Sequence, residues 1–201
     1  MARAHLVPLA LLRQTSGFEV AEIFAYDCAC GRRHEGSPTF GFVAPDAFVA
    51  QSQEIQEAGT RSRDFCAYEN SLGRFYFTRA LLAIPIRGFD SFFHWNLWVQ
   101  LGFEDYQRYL NVYQKPDSRD QFLATIRNAL PQYPNTDGVP VKIARLPGNV
   151  LPQSLVPPMN HQLAIDYQSG MTAEMAARIA SAVCSAVTGQ AAEASTPPAG
   201  A

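Results

Sequence analysis

The chain has 201 residues, 47% of them apolar, with 16 basic and 18 acidic side chains and a formal charge of −2. That length and apolar share suit one domain with a sizeable core, and the balanced charge leaves no field to draw phosphate backbones, so nucleic acid is not an expected partner. Apolar runs such as Ala80–Ile86 are strand-sized and broken by Pro85, short of the roughly 18 to 20 residues a membrane helix needs, so no membrane is expected either.

Residues 1–18 read as a loose leader. Arg3 and Leu6–Leu12 imitate a signal peptide, but Pro8 interrupts the apolar stretch and Arg13, Gln14 and Thr15 follow without a cleavage site. The cysteines, Cys28, Cys30, Cys66 and Cys184, are too few for a disulfide scaffold, which predicts a reducing, cytoplasmic location. A single α+β domain is expected over residues 19–188. Residues 189–201 (GQAAEASTPPAGA) have too little apolar surface to offset the entropy of ordering them and are expected to be a disordered tail.

Alternation predicts a strand over Val20–Asp27, and Pro45 opens a predicted helix through Phe48, Ser52 and Ile55 to Gly59. Asp64–Tyr68, Arg74–Ile86 and Phe92–Leu101, rich in aromatic and branched residues, predict three antiparallel strands. In the last, Trp95, Leu97 and Val99 share one face and His94, Asn96, Trp98 and Gln100 the other. Phe103, Tyr106, Leu110 and Tyr113 predict a helix over Glu104–Gln114 that covers this sheet, and Phe122, Ile126 and Leu130 predict another over Asp117–Leu130. The turn-rich stretch Pro131–Gly138 leads to predicted strands at Val139–Leu146, Leu151–Val156 and Gln162–Tyr167. A last helix begins at Thr172 and runs through Met175, Ile179, Val183 and Val187, with Cys184 as a small buried thiol. Strands first and helices late predict an α+β fold, an antiparallel sheet with a few packing helices.

Cys28-Ala29-Cys30-Gly31-Arg32-Arg33-His34 is the cluster with metal-ligand composition, with Cys66 the fourth donor expected from a neighbouring strand. Thiolates and imidazole suit Zn²⁺, a glycine after a ligating cysteine lets the backbone turn, and four protein ligands make a structural site. The other reading is a group of free thiols beside a solvent-facing histidine. His161 with Asp166 and His94 is a second constellation, since an imidazole paired with a carboxylate suits acid–base work, and Glu35 beside His34 is a further candidate base. Phe93, His94 and Trp98 read either as core or as an exposed recognition face. Phosphate-cradling, dinucleotide-binding and nucleophile-elbow signatures are missing.

At Cys30-Gly31-x-x-His34-Glu35-Gly36-x-Pro38 the chain resembles a bacterial family known as domain of unknown function 2199. The resemblance continues through Asp64-Phe65-Cys66, Leu82–Ile86, Trp95-x-x-Trp98-Val99, Asn128-Ala129-Leu130-Pro131-x-Tyr133-Pro134-x-Thr136, His161-x-Leu163-Ala164-Ile165-Asp166 and Gly170. It implies no activity. The family opens with Cys-x-x-Cys-Gly-x-x-His, which puts Asp27 where its first cysteine stands and displaces Cys28 by one residue. Either Asp27 ligates through oxygen, or Cys28 reaches the metal by a backbone shift.

Two functions are expected of such a chain. One is a non-enzymatic module that binds another protein through an aromatic or acidic face and is stabilised by a zinc knuckle. The alternative is a small zinc-dependent hydrolase in which Cys30, His34 and Cys66 hold the metal, water takes the fourth position, and Glu35 or His161 handles the proton beside Asp166.

Overall fold

The computed structural model describes residues 22–28, 30–113, 115, 120–145, 151–156 and 159–193, with side chains described as far as 185. The expected leader lies outside them, as do residues 194–201.

Aromatic and branched residues at period two build the centre of the molecule, a long antiparallel hairpin of β6 (Gly73–Pro85) and β7 (Phe92–Leu101), which are labelled by their place in the chain order. β1 (Ala25–Asp27), β2 (Arg33–Glu35), β3 (Thr39–Gly41), β4 (Thr60–Arg61) and β5 (Phe65–Asn70) precede it. β8 (Gln121–Ile126), β9 (Pro140–Ala144) and β10 (Gln153–Leu155) follow. The hairpin is long enough to hold two partners on each outer edge. β6 pairs with β5 through its first half and with β10 at Leu81, while β7 pairs with β3 at His94–Asn96 and with β8 at Val99 and Gln100.

β6, β7, β8, β9 and β10 form a ring that closes on β6. The expectation of an antiparallel sheet is corrected here: the five-stranded barrel is mixed in orientation. Each successive neighbour reverses direction, so with an odd number of strands the last runs the same way as the first. The closing contact of β10 with β6 must then be parallel, as observed.

Residues directly opposite in the ladder share a face. Leu82 and Trp95, Ala80 and Leu97, and Ile84 and Phe93 therefore all point into the barrel, where Ile126 and Ile143 meet them. Burying each of the larger side chains contributes about 2 kcal/mol. The alternation expected of β7 holds with one departure. Trp98 points outward yet is fully buried, in a second cluster with Ala44, Phe48, Cys66, Tyr68 and Phe77. Its Nε1 donates to the Phe42 carbonyl at 3.0 Å, and the Arg79 guanidinium lies 5.1 Å from its ring centre. No recognition face of Phe93, His94 and Trp98 is formed: two are core and His94 is half-buried.

The helix opened by Pro45 comes as two pieces, α1 (Asp46–Val49) and α2 (Gln53–Ala58), because Ser52 Oγ accepts from the Ile55 N–H and starts a new helix that ends at Gly59. α3 (Phe103–Tyr113) forms as expected and buries Tyr109 against Phe65 and Phe122. The helix expected over Asp117–Leu130 is instead β8; Phe122 and Ile126 lie four apart, a spacing that fits a strand face as well as a helix face. The strand expected over Gln162–Tyr167 is instead α4 (Gln162–Ser169), with Gln162, Ile165 and Gln168 exposed at a spacing of three and Leu163, Ala164 and Asp166 buried. α5 (Ala173–Glu193) starts where Thr172 Oγ1 accepts from the Met175 N–H, and it runs on into the segment expected to be a tail.

The Asn128–Thr136 stretch is a latch. Asn128 Oδ1 accepts from the Trp98 N–H at 2.8 Å, and its Nδ2 donates to the Ala44 carbonyl at 3.0 Å and to Asp46 Oδ1 at 2.8 Å. Thr136 Oγ1 donates to the Asn128 carbonyl and accepts from the Leu130 N–H. One amide thus ties the barrel wall to the start of α1.

Candidate metal centre

β1 and β2 form a short antiparallel hairpin in which Tyr26 opposes His34 and Asp27 opposes Arg33. Gly31, at φ +79°, supplies the left-handed turn between them. Strand alternation then sorts the side chains. Tyr26 and His34 stack on one face with ring centres 5.2 Å apart, whereas Asp27 points the other way, 3.6 Å from Arg33, and is exposed. Cys28, two residues after Tyr26, returns to the inner face and is buried.

The inner face meets α5. One donor atom each from Cys28, His34 and Cys184 lies within 4.8 Å of the other two. Cys30 stands beside this group rather than within it, its Sγ 3.4 Å from His34 Nε2, while its backbone N–H donates to Cys28 Sγ at 3.4 Å. A tetrahedral zinc with Zn–S near 2.3 Å and Zn–N near 2.1 Å needs donors about 3.5 to 3.8 Å apart. The Cys28, His34 and Cys184 donors lie close to that spacing, and Cys30 is the neighbouring thiol that could complete the set. Three thiols and an imidazole are the soft donor set that selects zinc.

The electrostatics separate the thiols of the group. The Cys28 thiol is held below its usual range, chiefly by the backbone N–H of Cys30 and then by the Cys30, Cys184 and Ser181 side chains, against an opposing effect of burial. Burial and the neighbouring Cys28 push the Cys184 thiol up. Tyr26, buried beside Cys184, Cys28 and Cys30, is pushed up to about 12 and stays a neutral phenol. A cleft of about 240 Å³ opens beside His34 and Cys184, lined also by Glu35, Ser37 and Thr39.

Cys66, the fourth donor expected from sequence, is not brought to this group. It lies on the outer face of the sheet opposite Phe77, with no exposed surface, and burial pushes its thiol up to about 12. Asp27 is also absent from it, because alternation turns its side chain away. Cys184 takes the place expected of Cys66. The sequence holds a signal for it: Ala176, Ala180 and Cys184 recur every four residues, and the first two are fully buried.

The acid–base candidates fall on different elements, His161 at the start of α4 and Asp166 within it, His94 on β7 and Glu35 on β2. Asp166 is buried and accepts from Tyr133 Oη at 2.9 Å and from Gln162 Nε2 at 2.8 Å. His161 caps α4, its Nδ1 accepting from the Leu163 N–H at 3.1 Å and its Nε2 2.8 Å from the Pro134 carbonyl, so one neutral tautomer satisfies both nitrogens. His94 lies 3.4 Å from Thr39 Oγ1, with burial holding its imidazole below the usual range. Glu35 is exposed at the cleft, 3.9 Å from Arg33. Neither His161 nor Asp166 lines that cleft.

Barrel, latch and Cys/His cluster together define a mixed α and β domain carrying a potential metal centre. The chain belongs to the bacterial family described as uncharacterized protein conserved in bacteria, domain of unknown function 2199, whose model matches residues 27–171. No curated protein and no solved structure matches it. Cys184 lies beyond the matched residues, so one donor comes from outside the family's span. Among the described residues no helix is long and apolar enough to cross a membrane.

Proposed function

We propose that the chain is a non-enzymatic, protein-binding module whose fold is stapled by a structural zinc ion held by Cys28, Cys30, His34 and Cys184. The observation that carries the zinc reading is the convergence of donors from the β1–β2 hairpin and from α5 within 4.8 Å. A four-donor site leaves zinc no open position for water, which is what separates a structural site from a catalytic one. The hydrogen bonds of His161 and Asp166 count against these two as proton carriers, because each is already engaged within the fold.

The test is metal content of the purified full chain by elemental analysis, with variants. About one zinc per chain is expected, lost in Cys184→Ser and His34→Ala and kept in Cys66→Ser, with folding lost alongside the metal. Metal-free, fully folded wild type would overturn the staple. Zinc-dependent hydrolysis of a p-nitrophenyl ester or phosphate, abolished by Glu35→Gln, would overturn the non-enzymatic reading in favour of the hydrolase.

A further inference from the structure

Cys28 and Cys184, from opposite ends of the chain, are free thiols whose sulfurs lie within 4.8 Å, near enough to be joined as a disulfide by a small approach. Building on the zinc reading above, the geometry points to a redox modification site, in which a hydroperoxide converts Cys28 and Cys184 to a disulfide and releases the metal.

The step balances with hydrogen peroxide as the oxidant. One thiolate attacks a peroxide oxygen, so an S–O bond forms, the O–O bond breaks and hydroxide leaves. The second thiolate attacks that sulfenic sulfur, forming the S–S bond and expelling a second hydroxide. Two electrons pass from the sulfurs to the peroxide oxygens, and two protons complete two waters. Two zinc–thiolate bonds are lost together, and Cys30 with His34 is an incomplete sphere for zinc.

Place in the fold selects the pair. Cys30 has its sulfur turned to His34 Nε2 at 3.4 Å, and a Cys28–Cys30 link would have to close across a single intervening residue, far from relaxed disulfide geometry. Cys184 comes from a separate element, so its link to Cys28 closes no such short ring, and it lines the cleft through which a small oxidant can enter. Cys66, with no exposed surface and in the other cluster, stays reduced and serves as an internal control. The new bond joins the same two elements as the metal did, so α5 remains pinned to the β1–β2 hairpin after the metal has gone.

The experiment uses the reduced full-length protein, with its zinc measured first. Hydrogen peroxide is titrated in, released zinc is read with a chromogenic chelator, and disulfides are mapped by mass spectrometry of non-reduced peptides. The expected result is a Cys28–Cys184 peptide whose yield tracks zinc release, reversed by dithiothreitol and missing in Cys184→Ser. Should that variant fail to fold, the wild-type peptide map still decides. Zinc-loaded protein that yields only Cys28–Cys30 linkage or over-oxidised cysteine, or that keeps its zinc once Cys28 and Cys184 are joined, overturns the redox site alone. Reduced protein with no zinc overturns the metal reading, and the release step with it.

Discussion

The Cys28/Cys30/His34/Cys184 group and the Tyr133/His161/Asp166 group look alike as lists of reactive side chains, but they differ in what their donors and lone pairs face. In the second, the Asp166 oxygens accept from Tyr133 and Gln162, and the His161 nitrogens lie between the Leu163 N–H and the Pro134 carbonyl. Burial and the neighbouring Asp166 push the Tyr133 phenol up, so the bond it donates persists across the ordinary pH range. In the first, the sulfurs and the imidazole face mainly one another. A set of donors clustered together is compatible with a cation, whereas a set of matched donors and acceptors serves stability. Residue type alone does not separate the two.

The largest expected effect is at the sulfur group. Cys184→Ser should remove zinc and cost folding free energy of order 10 kcal/mol, the scale of a structural zinc site, read as loss of the cooperative thermal transition together with the metal. The same substitution at Cys66 should keep the zinc, and zinc lost there as well would erase the distinction between the two buried cysteines. Next comes the latch. Asn128→Ala strips partners from the Trp98 N–H, the Ala44 carbonyl and Asp46, and should cost about 3 kcal/mol in denaturant unfolding without changing metal content.

Asp166→Ala leaves the buried Tyr133 hydroxyl without its acceptor and should cost about 2 kcal/mol, again with zinc retained. Zinc loss in this variant would mean that the two groups are energetically one site. His161→Ala removes a helix cap and should cost about 1 kcal/mol. A further effect, of similar size, is one of pH. Because burial raises the Cys66 thiol from 9.0 to about 12, the folded chain holds that proton after the unfolded chain has lost it. Its contribution is therefore complete below pH 9 and declines as pH rises from 9 toward 12. Unfolding curves at pH 8 and pH 10 should show a smaller alkaline loss in Cys66→Ala than in wild type.

The β5–β6–β7 strands and α3 were legible in sequence because their patterns have a single period over a long window. β8 and α4 were not. Apolar residues four apart satisfy period two and period 3.6 alike, so Phe122 and Ile126 left the choice to pairing with β7 and β9. The Ile165 and Tyr167 of α4 favour a strand on propensity, and the cap at His161 overrides them. Three of the four candidate donors were also legible, since Cys28, Cys30 and His34 lie together on one turn.

What the amino-acid order determined by itself was the local material: the α and β mixture, the long hairpin, and a thiol-and-imidazole turn at Cys28–His34. Which side chains of that turn face inward followed from strand alternation, and it chose Cys28 over Asp27. Closure of the ring with a parallel contact, and the choice of Cys184 over Cys66, belonged to the tertiary structure alone. Both depend on contacts between elements far apart in the chain, and no local period encodes which face of a distant helix or strand will arrive at a given point.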